Sequence, residues 1–155
     1  MIMAIERADF PLPDVDDPLV GPFFAAATRG ELAVTRCAAC RRFVWYPAPC
    51  PRCGVEPIWQ AVSGRATLFS WVTVRRPFLP AFADFVPFVT ALVAIEEDAS
   101  VRLCTMIPDV DPSALRADQP MVVAFRSLRF PTVPDREVIV PMFVPDESAS
   151  AAGPR

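Results

Sequence analysis

Two closely spaced cysteine pairs constrain this chain more than any other feature of its sequence. Four of its five cysteines lie in the stretch TRCAACRRFVWYPAPCPRCG, with the spacing C-x2-C-x9-C-x2-C. One CxxC turn can direct two sulfur atoms at a metal ion, and two such turns supply the four thiolates of a tetrahedral zinc site. The sequence therefore predicts one zinc ion per chain, bound by Cys37, Cys40, Cys50 and Cys53.

Other uses of the two pairs are less favoured. A disulfide needs an oxidising compartment, and the first residues, MIMAIERADF, do not have the pattern of an export signal. A thioredoxin-like motif has a single CxxC in a βαβ setting. Rubredoxin-type iron uses the same four ligands and stays open as an alternative metal. Because four sulfur ligands leave no coordination position for water, we expect a structural site and not a catalytic one.

The fifth cysteine, Cys104, lies in the apolar run VRLCTMI. A nucleophilic thiol needs a cationic neighbour or a helix N-terminus, and only Arg102 is close in the sequence. We therefore predict that Cys104 is a buried core residue.

The chain lacks the residues on which many enzymes depend. It has no histidine and no lysine, so all 15 cationic side chains are arginines. Ser-His and Cys-His nucleophiles and Schiff-base lysines are therefore excluded within this chain. An independent enzyme would have to use Tyr46, Asp84 or Glu96. We expect no catalytic residue in this chain and no turnover by the chain alone.

The charge and hydropathy of the chain argue against two classes of partner. The formal net charge is −3, and four thiolates with a divalent metal would make it more negative. A field of that sign recruits neither nucleic acid nor an anionic membrane surface. The most apolar window, FVPFVTALVAI, is too short to span a bilayer. We expect a cytoplasmic protein.

The remaining pattern predicts a mainly β protein with one short helix. The segment GPFFAAATRGEL favours a helix, with Pro22 at its first position and Gly30 at the C′ position past its end. Five short runs rich in Val, Phe, Ile and Thr follow, at residues 66–74, 88–97, 101–107, 121–128 and 138–144. Five strands in so short a segment favour a five-stranded OB-fold barrel. We expect an extended arm at 1–21, the helix and zinc ribbon at 22–60, the OB-fold at 61–145 and a disordered tail at 146–155.

The combination of these segments resembles one family along almost the whole chain. The segments are GPFFAAATRGELAVTRCAACRRFVWYPAPCPRCG, then WQAVSGRATLFSWVTVRRPFLPAFADFVPFVTALVAIEED, then MVVAFRSL. They resemble the acyl-CoA-associated OB-fold proteins with a rubredoxin-like zinc ribbon, known as domain of unknown function 35, over about residues 18–145. In one respect the chain departs from the family, because Arg41 follows the first cysteine pair where glycine is frequent. A non-glycine residue adopts positive φ there at a cost of about 1 kcal/mol.

The resemblance implies an accessory subunit. Members of this family associate with thiolase-like enzymes, including thiolases, acyl-CoA synthases and steroid side-chain aldolases, and some work with MaoC-type hydratases. The partner carries the catalytic residues, while the small subunit stabilises it and in some cases helps to enclose or channel the CoA thioester. The resemblance therefore implies a thiolase-like or aldolase partner and an acyl-CoA ligand, with a preference for lipid or steroid metabolism.

Two groups of residues are candidates for these contacts. Arginine pairs with phosphate oxygens through two hydrogen bonds. The candidates for CoA contacts are therefore Arg75, Arg76, Arg126 and Arg129. The alternative is that these side chains face solvent or pair with nearby carboxylates. Phenylalanines in the helix and in the long Pro-rich segment 75–88 are suited to a partner interface, or alternatively to the protein's own core. The interface candidates are Phe23, Phe24, Phe78, Phe82 and Phe85, and Phe88 belongs to the same segment.

Single-stranded nucleic-acid binding is the alternative function, because zinc ribbons and OB-folds both serve it. Such proteins combine a positive groove with stacking aromatic residues. This chain has the aromatic residues, but it is acidic overall and its phenylalanines lie among Pro and Ala. The sequence therefore favours the acyl-CoA-associated role.

Overall fold

The computed structural model describes residues 13–77, 83, 85–130 and 133–150. The chain divides into two compact units, Met1–Ser63 with Phe125–Pro141 and Gly64–Ala124 with Met142–Arg155. The paired cysteines lie in the first unit, and the second unit holds most of the strands predicted for the OB-fold.

The described residues form two antiparallel sheets and two short helices. In chain order the elements are α1 (Gly21–Ala27), β1 (Leu32–Cys37), β2 (Phe43–Val44), β3 (Pro57–Val62), β4 (Arg65–Val74), β5 (Phe88–Ile95), β6 (Arg102–Ile107), a 3-10 turn (Pro112–Ala114), β7 (Pro120–Phe130), β8 (Val133–Pro145) and α2 (Glu147–Ser150). The three-stranded sheet has the order β2-β1-β3, and the five-stranded sheet has the order β6-β5-β4-β7-β8. The predicted mainly β class, with a short helix and a ribbon before a five-stranded OB-fold, is confirmed.

In the first unit, β1 is the central strand and β2 and β3 pair with its two edges. Five of the six β1 residues are buried, and the fully buried Val34 belongs to the core. The register pairs Arg36 with Phe43 on one side and with Ile58 on the other. Cys37, the last residue of β1, pairs with Pro57 at the start of β3. The sheet therefore delivers the first cysteine to the end of its central strand.

Helix α1 begins at Gly21, one residue before the predicted first position, and ends slightly earlier than predicted. Pro22 lies in its first turn, where the missing N–H of proline has no consequence. The C-cap residue is Thr28, and Gly30 lies two residues further on with φ 73°. Gly30 therefore has the left-handed conformation expected of a residue beyond a helix, but not at the position directly after the cap.

Both ends of the described chain differ from the sequence-based expectation. Residues 13–20 form turns and not an extended arm, because the carboxylate of Asp14 accepts from the N–H of Asp16 and that of Asp17 accepts from the N–H of Leu19. Residues 147–150 of the expected disordered tail form α2, where Asp146 accepts from the N–H of Ser148 at 3.1 Å.

In the second unit, burial alternates along the strands, as a two-residue period requires. Val89, Ala91 and Val93 of β5 point inward, and the residues between them are half-buried. In β4 the alternation changes at a register shift between Leu68 and Ser70. Such a bulge re-aims the side chains that follow it.

The expectation that Cys104 is buried is wrong. Cys104 is exposed, because it pairs with Leu92 on the outward face of β6, while its neighbours Leu103 and Thr105 point inward. The Thr90 hydroxyl lies 3.9 Å from its sulfur. Strand alternation, and not the hydrophobicity of the run, decides the exposure of this residue.

Gly64, at the start of the second unit, gives a test of this packing. A methyl group at Gly64, where φ is 75°, would lie 2.5 Å from Cγ1 of Val123. We expect Gly64→Ala to lower the free energy of unfolding by about 2–3 kcal/mol, from a left-handed backbone and from overpacking together. Gly30→Ala is the matched control, because Gly30 also has positive φ but has open space around it. Its expected loss is only about 1 kcal/mol. Denaturant unfolding followed by circular dichroism measures both, and equal losses would contradict the packing argument.

Candidate functional site

The ligand atoms of the four paired cysteines come together in the first unit. All four sulfur atoms lie within 4.8 Å of one another. The Cys40 and Cys50 sulfurs are 3.7 Å apart. Four sulfurs at about 2.3 Å from a tetrahedral metal would be separated by about 3.8 Å, so the cluster fits such an ion. All five cysteines are free thiols, and the donor set suits zinc or iron.

The same backbone turn builds both halves of the site. In the first turn the N–H of Arg41 donates to the carbonyl of Cys37 at 3.0 Å, and in the second the N–H of Gly54 donates to the carbonyl of Cys50 at 2.8 Å. Arg41 has φ 61° and Gly54 has φ 65°. The positive φ expected at Arg41 is therefore confirmed, and Gly54 has the same conformation. The N–H of Cys40 lies 3.4 Å from the Cys37 sulfur and donates to it.

The electrostatics of the cluster favour a cation. The backbone N–H of Cys40 lowers the pKa of Cys37 to about 6, despite the opposing effect of burial. In contrast, the pKa of Cys53 is raised to about 12, first by hydrogen bonding to Cys40 and then by burial. A thiol that donates to a neighbouring sulfur holds its proton more tightly, and a nearby cation favours the thiolate instead. A divalent metal bound by all four sulfurs would supply that cation and would leave no coordination position for water.

Two residues that support the turns were not found by sequence reasoning. Thr35 is buried, and its hydroxyl donates to the carbonyl of Val44 and lies 3.4 Å from that of Tyr46, which has φ 88°. Arg36 donates from Nε to the carbonyl of Arg41 at 2.5 Å. Both lie directly before Cys37 on β1. Their position next to a predicted ligand was the only signal available in the sequence.

An aromatic patch lies on the same unit, defined here as Phe23, Phe24, Trp45, Tyr46 and Trp59. Phe23 packs edge-on against Phe24 at 5.4 Å and Trp45 at 5.9 Å, and its ring centroid is 6.2 Å from that of Trp59. Both phenylalanines are half-buried, whereas Trp45 is 40% exposed and Tyr46 is 58% exposed. The helix therefore packs on the ribbon. Trp45 and Tyr46 were not among the interface residues predicted from the sequence.

The structure describes the other candidates only in part. Arg75 and Arg76 follow β4 and are exposed, and Arg126 is exposed on β7. None of these three arginines makes an ion pair with a residue in the described ranges. Phe85 and Phe88 are half-buried. Outside the described residues lie Phe78, Phe82, Asp84 and the side chain of Arg129.

The carboxylate candidate Glu96 has a charged neighbour. Its Oε2 lies 3.4 Å from Nε of Arg65, whose Nη1 lies 3.8 Å from Asp146.

Within the described part of the chain, no helix is long and apolar enough to cross a membrane.

A four-cysteine ribbon followed by a five-stranded OB sheet defines a zinc-ribbon and OB-fold protein. Two family models match the chain in this order: the ChsH2 rubredoxin-like zinc ribbon domain over residues 24–57 and the ChsH2 C-terminal OB-fold domain over residues 59–126. The chain therefore belongs to the DUF35 family of ChsH2-type proteins.

Two relatives are similar in sequence. A probable enoyl-CoA hydratase alpha subunit from Thermomonospora curvata is 32% identical over 126 residues, which span 79% of this chain and 36% of the relative. The chain thus matches about a third of that subunit's length. A DUF35 domain-containing scaffold protein from Methanothermobacter thermautotrophicus is 29% identical over 105 residues, which span 65% of this chain and 76% of the relative.

Two solved structures are similar in fold. The Ltp2-ChsH2(DUF35) aldolase matches with a TM-score of 0.70 and 28% identity, covering 86% of this chain and 98% of the matched chain. A DUF35 protein of unknown function from Sulfolobus solfataricus matches with a TM-score of 0.55 and 14% identity, covering 84% and 87%. The second match shows the shared fold alone.

The metal site predicts a clear difference between two cysteine substitutions. Cys50→Ser removes one of four ligands, so we expect bound metal to fall from about one ion per chain to well below half. Cys104→Ser is the matched control and should keep the full amount, because Cys104 lies on a different sheet. Metal analysis of both proteins after gel filtration measures this. Full metal content in Cys50→Ser would contradict the four-cysteine site.

Proposed function

We propose that this chain is a non-catalytic accessory subunit of an enzyme complex that acts on acyl-CoA. It binds and stabilises a thiolase-like partner. The partner is a thiolase, an acyl-CoA synthase or a steroid side-chain aldolase. A MaoC-type hydratase is a further candidate for the complex. The observation that carries the proposal is the similarity to the Ltp2-ChsH2(DUF35) aldolase, which covers 98% of the matched chain. The partner supplies the catalytic residues.

The chemistry of the chain supports a non-catalytic role. Without histidine or lysine it lacks the side chains that most often serve as general bases and covalent amines. Four of its five thiols are assigned to a closed metal site, for which we propose one structural zinc ion per chain. Of the described carboxylate candidates, Glu96 forms an ion pair with Arg65, with 3.4 Å between its Oε2 and the arginine Nε.

We propose that the ribbon domain, residues 22–60, binds the partner through the aromatic patch. Tryptophan and tyrosine are enriched at the centres of interfaces, because they bury a large area at a small cost in conformational entropy. Trp45 and Tyr46 expose 40% and 58% of their surface and are therefore free to be covered. Phe23 of the helix packs against Trp45 and against Phe24. Phe78, Phe82 and Phe85 are further interface candidates.

We propose that the OB-fold domain, residues 61–145, lies beside the CoA thioester and helps to enclose or channel it. Arg75, Arg76, Arg126 and Arg129 are the candidates for its phosphate groups. Arg75 and Arg76 are exposed and make no ion pair with a described residue. They can therefore contact a phosphate group without first losing an ion pair to such a residue.

Purification of the tagged chain from its own host at moderate salt tests the accessory role. We expect a thiolase-like or hydratase subunit in near-equal amount, and we expect the chain alone to turn over no acyl-CoA. Recovery of the chain as a metal-loaded monomer without an enzyme, or with nucleic acid instead, would contradict the proposal.

The aromatic patch predicts a binding defect once the partner is in hand. Trp45→Ala should weaken the complex by at least about thirtyfold, as expected for a tryptophan at the centre of an interface. Val72→Ala is the control, because Val72 is 56% exposed but lies on β4. Calorimetric titration of the partner measures both, with metal content as a check on folding. Unchanged binding by a metal-loaded Trp45→Ala protein would exclude this patch as the interface.

The arginine candidates predict a change in KM. In the complex, the double variant Arg75→Ala/Arg76→Ala should raise KM for acyl-CoA about tenfold while kcat changes little, because a charged hydrogen bond is lost. Arg42→Ala, an exposed arginine in the ribbon, is the control. A pantetheine thioester lacks the nucleotide phosphates, so its KM should be the same for the variant and the unmodified complex. An equal KM for acyl-CoA would remove these two residues from the site.

A further inference from the structure

Arg36 makes three directed contacts from one side chain. Its Nε donates to the carbonyl of Arg41 at 2.5 Å, and its Nη1 donates to Oε1 of Gln60 at 2.9 Å. Its guanidinium lies 5.0 Å from the centroid of the Phe43 ring. These partners belong to the turn after Cys40, to β3 and to β2. One half-buried arginine therefore joins the first cysteine turn to both strands that flank β1.

The register of the sheet makes these contacts possible. Arg36 pairs directly with Phe43 and with Ile58, so their side chains point to the same face, and Gln60 lies two residues beyond Ile58 on that face. The next residue on β1 is the ligand Cys37. Arg36 is therefore directly before the first ligand, Cys37, in the chain. It is also hydrogen-bonded to Arg41, the residue that follows the second ligand, Cys40.

The turn that Arg36 contacts needs support. Arg41 has φ 61°, a left-handed conformation that a side chain with a Cβ atom disfavours. Gly54 has the same conformation after the second cysteine pair at no steric cost. A hydrogen bond from a guanidinium to the Arg41 carbonyl is charge-assisted and orients that peptide group.

We propose that Arg36 is a positioning residue for the metal site, which holds the left-handed turn at Arg41 and with it the spacing of Cys37 and Cys40. This role rests on the proposed four-cysteine metal site, and it does not depend on the identity of the enzyme partner. Arg36 is not a metal ligand, so its effect reaches the metal through the geometry of the turn.

Metal release is the first measurement. With a colorimetric chelator in excess, Arg36→Met should release zinc about tenfold faster than the unmodified chain, because charged hydrogen bonds are lost. Arg42→Met is the matched control, because it removes the same charge beside the same turn. Within the described ranges, the exposed Arg42 side chain makes no hydrogen bond and no ion pair. Equal release from Arg36→Met and Arg42→Met would overturn the proposal.

A double-mutant cycle with Arg41→Gly separates positioning from general stability. Glycine removes the penalty of the left-handed turn, so Arg36→Met should accelerate metal release less in the Arg41→Gly background than in the native one. The same fold-change in both backgrounds would mean that Arg36 only stabilises the sheet, and would overturn the positioning role.

The cobalt-substituted protein gives a spectroscopic readout of the site geometry. Arg36→Met should alter the visible bands of the four-thiolate cobalt site, whereas Arg42→Met should not. If Arg36→Met does not fold, Arg36→Lys carries the test, because it keeps the charge but cannot donate in both directions. Native cobalt bands together with native release from Arg36→Lys would overturn the proposal. Failure of the unmodified chain to bind zinc or cobalt through four thiolates would instead overturn the proposed metal site.

Discussion

The convergence of four cysteine sulfurs is the constraint on which the ribbon depends. The sulfurs lie within 4.8 Å of one another, and in the absence of a cation the pKa of Cys37 is lowered to about 6 while that of Cys53 is raised to about 12. A divalent ion bound by all four sulfurs would stabilise their thiolate forms. The sheet around the cluster is small, since β2 has only two residues, so metal–sulfur bonds would take the place of a larger core.

The backbone around this cluster shows how a left-handed turn is held without glycine. Gly54 adopts its positive φ freely, but Arg41 and Tyr46 do not have that freedom. Two successive residues of β1 face these segments, with Arg36 bonded to the carbonyl of Arg41 and Thr35 bonded to the carbonyl of Val44, next to Tyr46. Side chains on opposite faces of one strand therefore order the segments that carry the ligands.

The parts of the fold that were predictable from the sequence are those that depend on local pattern. The cysteine spacing and the strand runs belong to this class, and the strands of the five-stranded sheet begin and end within a few residues of the expected positions. The exposure of Cys104 was also readable, because Arg102 shares its face and a charged side chain points outward. Asp146 ahead of α2 was a cap signal that was overlooked. Arg36 was not predictable, since its partner Gln60 lies 24 residues away and meets it only in the folded sheet.

A metal site whose coordination positions are filled by protein cannot bind a substrate, so the contribution of the ribbon to the proposed function would come from the surfaces around the site. Trp45 and Tyr46 lie in the segment between the two cysteine pairs, and the four sulfurs at its two ends converge. Thr35 fixes the same segment from β1. The exposed aromatic rings are therefore coupled to the cysteine cluster through a short loop. In the proposed accessory role, a structural metal held by this cluster would order the surface that the partner covers.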